Sequence, residues 1–192
     1  MMRYIIIPCF LVLICSSVQA QLYLGAGPSM YVPTQDFADL NNESIGFNLQ
    51  IENHYFCNLW WGAKIEYFEF DRIESLPAES PSLVDYFAIT PNVKFNLTDV
   101  SIYGDNNCNR KFIPYINLGV IMSISDTFQP ETDKFGVGGN AGVGLAYGFT
   151  FLNACMMVDL NATYNSANFL YKDDARSTIN ALIVGLNLSV RL

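Results

Sequence analysis

Ala181-Leu-Ile-Val-Gly-Leu-Asn-Leu-Ser-Val-Arg-Leu192 is the stretch whose reading decides the fold. Leu182, Val184, Leu186, Leu188, Val190 and Leu192 share one face; Ile183, Gly185, Asn187, Ser189 and Arg191 share the other. A period of two belongs to a β-strand whose faces meet different surroundings. Seven more segments carry the same alternation: residues 21–31, 45–55, 59–70, 83–97, 112–124, 136–149 and 152–164. In 45–55, Phe47, Leu49 and Ile51 oppose Asn48, Gln50 and Glu52. In 59–70, Trp61, Ala63, Ile65 and Tyr67 oppose Gly62, Lys64 and Glu66.

The other end of the chain reads differently. Arg3 is followed by an apolar run over residues 5–15, broken only by Pro8, and then by the small and polar Ser16-Ser-Val-Gln-Ala20. This is the pattern of a secretory signal cleaved after a small residue, here Ala20. The run is too short for a spanning helix, which needs about 20 apolar residues. Cys15 raises the alternative of a lipoprotein signal, but Ile14 stands where that signal wants a small side chain. The expected organisation is a signal peptide at 1–20 and one β-barrel domain at 21–192.

Removing the signal takes away Arg3 and no acid, so the 10 basic residues become nine against 18 acidic ones, a net charge near −9. Such a surface is unsuited to nucleic acid, whose phosphates need clustered Lys and Arg. The acids gather between the strands, in 36–43, 71–85 and 126–133, and read as solvated loops. Overall 51% of residues are hydrophobic and only 15% charged, against about 25% charged in soluble domains. Fourteen Phe, eleven Tyr and two Trp complete a composition suited to a wall facing lipid.

Eight segments in the remaining chain leave room for tilted membrane strands of about 9–11 residues. Eight is also the smallest barrel common in outer membranes. The links after the first, third, fifth and seventh segments are long, and those after the second and sixth are short. This alternation predicts an all-β, eight-stranded antiparallel transmembrane barrel, an up-and-down meander with both termini periplasmic. The link 98–111, with its Gly104-Asp-Asn-Asn107 turn signal, is longer than a periplasmic turn should be.

The face carrying Glu52, Lys64, Glu66, Lys94, Asp159 and Arg191 is expected to point into the lumen, because Lys or Arg on the lipid side costs about 2–4 kcal/mol near the midplane. Three acids and three bases balance there as a lumen charge network. Gly25, Gly27, Gly62, Gly119, Gly142, Gly144 and Gly185 share that face and make room for larger neighbours. An eight-stranded interior is only just wide enough for side chains, so a plugged lumen is expected. Aromatics near segment ends (Tyr55, Phe56, Trp60, Trp61, Phe68, Phe70, Phe149, Phe151, Phe169 and Tyr171) are expected in interfacial girdles.

Candidate chemistry is sparse. Gly136-Val-Gly-Gly-Asn-Ala141 fits a dinucleotide fingerprint poorly, because that motif needs a strand before it and a helix after it. His54 is the only histidine, sits near a short turn and has no Ser beside it; it reads as an interface residue rather than a catalytic base. A single His without Cys-x-x-Cys argues against zinc. No catalytic, cofactor-binding or metal-binding residue is assigned, and no cofactor is expected. Cys57, Cys108 and Cys155 remain after signal removal; Cys57 and Cys108 are the candidate pair for a disulfide between neighbouring turns, and three is odd.

Pro91-Asn-Val-Lys94-Phe95, followed by Phe112-Ile-Pro114-Tyr115-Ile-Asn-Leu-Gly119-Val120, resembles the PorT-like outer-membrane β-barrel family of Bacteroidetes. The Gly-rich strand 140–147 and the Gln19-Ala20-Gln21 junction are also similar to that group. The resemblance implies a small Gram-negative barrel, porin-like in wall but mostly of unassigned role, with some members serving protein secretion. It carries no catalytic residue. Leu192 stands where many barrels end in an aromatic residue.

The leading expectation is a non-enzymatic outer-membrane barrel with a structural or interaction role through acidic external loops. Its partners would be outer-membrane lipid, the barrel-assembly machinery through the C-terminal strand, and an unidentified protein. The alternatives are a secretion- or transport-associated barrel, a lipid-modifying barrel enzyme using His54, and a soluble lipocalin-like carrier, which would turn its apolar face inward.

Overall fold

The computed structural model describes residues 21–39, 41–56, 58–70, 73, 83–98, 111–127, 135–170 and 176–192. Eight strands follow in order: β1 Gln21–Pro33, β2 Ser44–Phe56, β3 Leu59–Glu69, β4 Leu83–Asn96, β5 Lys111–Thr127, β6 Phe135–Phe151, β7 Ala154–Leu170 and β8 Arg176–Arg191. Each pairs antiparallel with its neighbour, and β1 closes on β8. The register runs from Tyr23 opposite Arg191 to Pro33 opposite Ala181. Closure leaves no free edge, so every strand finds backbone partners on both sides. No helix among the described residues is long and apolar enough to cross a membrane.

Among the described side chains the alternation keeps its parity through the body of the eight strands, Asn53 near the end of β2 being a buried exception beside Glu52. In β3, Trp61, Ile65 and Tyr67 are exposed while Lys64, Glu66 and Phe68 are buried. In β5, Ile116, Leu118, Val120, Met122 and Ile124 are exposed while Tyr115, Asn117, Ile121 and Ser123 are buried. The large apolar side chains thus cover the outer wall, with Ile45 at 77% and Leu118 at 62% exposure. That is the reverse of a soluble barrel carrier, whose lining is apolar.

The interior has three layers. At the end bearing the long loops, Tyr31, Phe37, Phe68, Phe70, Tyr86 and Ile121 form one buried cluster. The Tyr31 ring lies 4.9 Å from both Phe68 and Phe70 and 5.7 Å from Tyr86. At the end bearing the termini, Tyr23, Trp60, Ile113, Tyr115, Ala146 and Met157 form a second, with Tyr23 and Trp60 rings 5.3 Å apart. Between them lies a belt of buried polar side chains, among them Asn48, Gln50, Glu52, Lys64, Glu66, Thr90, Lys94, Asn117, Asp159 and Thr163. Ring contacts of this kind add about 0.5–1.5 kcal/mol each beyond area burial.

Three expectations need correction. Trp60, Phe68 and Phe70 are not girdle residues; they are buried at 3%, 0% and 4%. They share the parity of Lys64 and Glu66, so the strand that turns those charges inward carries them inward too. Trp61, Phe149 and Phe151 do stand on the outer wall, where Tyr147 stacks between Phe112 (4.8 Å) and Phe149 (6.3 Å). The side chains of Tyr55, Phe56, Phe169 and Tyr171 lie outside the described residues, as does the whole of 1–20 and the turn at 104–107.

The seventh segment does not begin at Leu152. Leu152 and Asn153 form the two-residue turn between β6 and β7, both with positive φ (49° and 63°). Two positive φ values are what the tightest hairpin turns require. Nor is 165–176 all loop, because β7 continues to Leu170 and pairs onward with β8, Ser166 opposite Asn180 and Leu170 opposite Arg176. Asn165 and Ala167 keep the inward parity and are buried, which sustains the strand through a polar stretch.

One loop folds over its end of the barrel. After β1, residues Gln35–Phe37 make a 3-10 turn, and Phe37 is 3% exposed, packed edge-on to Phe70 at 5.8 Å. Thr34 N–H donates to Asn180 O at 2.8 Å, and Asn180 Nδ2 donates to Gln35 Oε1 at 2.8 Å. These bonds fasten the turn to β8.

Candidate functional site

The polar belt is the one place where charged side chains converge among the described residues. Strand parity brings Glu52 (β2), Lys64 and Glu66 (β3), Lys94 (β4) and Asp159 (β7) inward, all less than 7% exposed. Lys94 Nζ is paired with two carboxylates, Glu52 Oε1 and, at 2.7 Å, Asp159 Oδ2. Tyr115 O–H donates to Asp159 Oδ1 at 2.5 Å. Its ring lies under the same ammonium, 4.5 Å from centroid to Nζ. One lysine therefore ties β2, β4, β5 and β7 together across the lumen. Lys64 and Glu66 form a separate pair at 2.8 Å along β3.

Arg191 stands apart from both groups. It is half-buried at the terminal end, opposite Tyr23 on the neighbouring strand. The buried belt thus holds three carboxylates and two ammonium groups, with the sixth charge of the expected set at the mouth. A charge taken out of water is costly unless paired and hydrogen-bonded; here each ammonium has a carboxylate partner.

Neutral groups complete the belt. Asn48 Nδ2 donates to Ser29 Oγ at 2.6 Å and to Gly27 O at 3.1 Å. Gln50 Nε2 donates to Ser189 Oγ at 3.2 Å, and Gln50 Oε1 accepts from Asn187 Nδ2 at 3.4 Å. These bonds join β1, β2 and β8 across the closing seam. Sequence reading missed them, although Asn48, Gln50, Asn187 and Ser189 were already on the inward face. It also missed Tyr115, which had drawn notice only within a family motif. Tyr115 fits because Gly144 stands beside it: a Cβ at Gly144 would lie 2.2 Å from Tyr115 Cζ.

His54 faces the terminal-end mouth, half-buried, with its ring 5.1 Å from Trp60. It is part of the inward aromatic layer rather than an outer girdle. No cluster of three His, Cys, Asp or Glu side chains suited to a metal occurs among the described residues. Gly136–Asn140 lies within β6, which is followed by another strand, so the helix a dinucleotide site requires is not there. Cys155 is buried and disulfide-bonded to a partner outside the described residues. Cys57 and Cys108 also lie outside them.

A closed eight-stranded antiparallel barrel, apolar on its wall and ionic within, defines the class of small outer-membrane β-barrels. Solved structures share that fold, two of them as follows. Neisserial surface protein A superposes with a TM-score of 0.58 at 11% identity, over 90% of this chain and 99% of that one. The N-terminal β-barrel domain of Pseudomonas aeruginosa OprF superposes with a TM-score of 0.52 at 12% identity, over 90% of this chain and 97% of that one. No protein-family model and no curated protein sequence matches the chain.

Proposed function

We propose that this protein is an integral outer-membrane barrel with a plugged lumen, non-enzymatic, acting as a structural or interaction protein through its loop end. The observation that carries the reading is the outer wall. On β5 alone, Phe112, Ile116, Leu118, Val120, Met122 and Ile124 are exposed. From Phe112 to Ile124 is about 40 Å of strand, or about 30 Å of height at a tilt near 40°. That height matches a bilayer's hydrocarbon core of about 30 Å. In water so much contiguous apolar surface is untenable.

The plug is supported by the filling. Aromatic clusters occupy both ends and the ion-paired belt occupies the middle, while the Phe37 turn covers the loop end. Export with signal cleavage after Ala20 and assembly through the C-terminal strand follow from this reading, with outer-membrane lipid as the partner of the wall. The PorT-like resemblance at 91–95 and 112–120 favours a Bacteroidetes-type barrel and keeps a secretion-associated role as the second reading.

Fractionation and planar-bilayer recording test the proposal. The protein should sediment with outer membranes, run on gels as a heat-modifiable band and give no steady conductance. Recovery from the soluble periplasm overturns membrane residence. Steady ion-selective channels overturn the plug and favour the transport reading.

A further inference from the structure

The ion triad and the terminal-end aromatic cluster line a half-open cavity of about 10 Å³, bounded by Glu52, Lys94, Asn96, Trp60, Tyr115 and Ile113. That is about the space one water occupies. Two polar atoms of its lining residues, Glu52 Oε2 and Asn96 Nδ2, are buried without a hydrogen-bond partner among the described residues. Their residues are 2% and 3% exposed. Glu52 uses its other oxygen on Lys94.

We propose that this cavity is a binding site for one ordered water, which accepts a hydrogen bond from Asn96 Nδ2 and donates one to Glu52 Oε2. The pairing of groups selects the guest. An acceptor and a donor belong to residues lining the same space, and water supplies the complement of both. A monovalent cation fits the carboxylate but not the rest of the wall, because the Lys94 ammonium and the Asn96 N–H groups carry positive charge at the same place. A buried water commonly makes about three hydrogen bonds to otherwise unsatisfied groups. The bridge would give Glu52 contacts on both oxygens and link the β2–β4–β7 ion triad to the end of β4, where Asn96 N–H already donates to Asn58 O at 2.8 Å.

The test is nuclear magnetic resonance on the isotope-labelled full chain, as isolated from expressing cells and reconstituted in bilayer nanodiscs. In folded protein, verified by heat-modifiable mobility, the Asn96 side-chain amide protons should show cross-peaks at the water frequency with the sign of a long-lived contact. The Tyr115→Phe variant, which removes the one hydroxyl among the cavity's lining residues, should retain them. Sodium titrated at constant ionic strength should leave the Asn96 amide shifts unchanged. Absence of the cross-peaks in folded wild-type protein overturns the proposal, as does their loss in Tyr115→Phe. A shift that saturates with sodium overturns it in favour of a cation.

Discussion

Lys94 Nζ stands 2.7 Å from Asp159 Oδ2, so a side chain of β4 meets one of β7 across the barrel, 65 residues away in the chain. With Glu52 on the other side of the same ammonium, the contact is a keystone: remove the lysine and two buried carboxylates lose their cation together. Lys94→Met should therefore destabilise the barrel by about 3–5 kcal/mol, the range for breaking a buried pair from one side. Replacing all three at once, Glu52→Gln, Lys94→Met and Asp159→Asn, should recover most of that loss, because no charge is then left unpaired. Urea unfolding in lipid vesicles measures both. A Lys94→Met barrel as stable as the wild type would mean that the carboxylates find compensation elsewhere.

Gly144 should be among the least replaceable positions on β6. A methyl group there would lie 2.2 Å from Tyr115 Cζ and 2.3 Å from its hydroxyl, and Tyr115 cannot swing aside without releasing Asp159. Gly144→Ala should cost about 1–3 kcal/mol, as overpacking usually does. Tyr115→Leu in the same chain should relieve the clash, so a double-mutant cycle should return a coupling of at least 0.5 kcal/mol. Additive losses would show that the ring and the glycine act independently.

Cysteine chemistry gives a third test. Cys155 is disulfide-bonded, and removal of the signal leaves Cys57, Cys108 and Cys155. Denatured but unreduced mature protein should take up one alkylating label, and reduced protein three. Peptide mapping should then find Cys155 joined to Cys57 or to Cys108. Three labels without reductant, or a Cys57–Cys108 link beside a free Cys155, would contradict the bond.

Much of this architecture was legible in the pattern of residues, and the exceptions are instructive. Faces were legible because parity is unforgiving: a one-residue slip in any strand exposes its charges to the outer wall. Trp60 and Trp61 show how far that rule reaches. The dipeptide invites a single label, yet one ring is buried against Tyr23 and the other is 39% exposed. Parity with Lys64 separates them, and composition near the segment ends does not. The Leu152-Asn153 turn was hidden for a different reason. Tight hairpin turns usually announce themselves with Asn-Gly or Asp-Gly, and a leucine at φ 49° carries no such mark. Pairing across the lumen was beyond periodicity altogether. It depends on which strands face each other once the sheet closes, so the inward set was readable but the Lys94–Asp159–Tyr115 contact was not.

The outer wall supplies the last prediction, because depth in a bilayer and depth in water make opposite demands on the same side chain. Leu118 is 62% exposed near the middle of β5, and Leu152 is 84% exposed in the turn at the terminal end. If the wall were wetted, arginine would be tolerated about equally at both, and slightly better at either than leucine. If lipid surrounds it, Leu118→Arg should cost about 2–4 kcal/mol and Leu152→Arg about 0–1 kcal/mol, following the fall of the penalty from midplane to interface. Unfolding of the two variants in vesicles decides between them. Equal stabilities would remove the lipid from the outer wall, and with it the reason for so apolar an exterior.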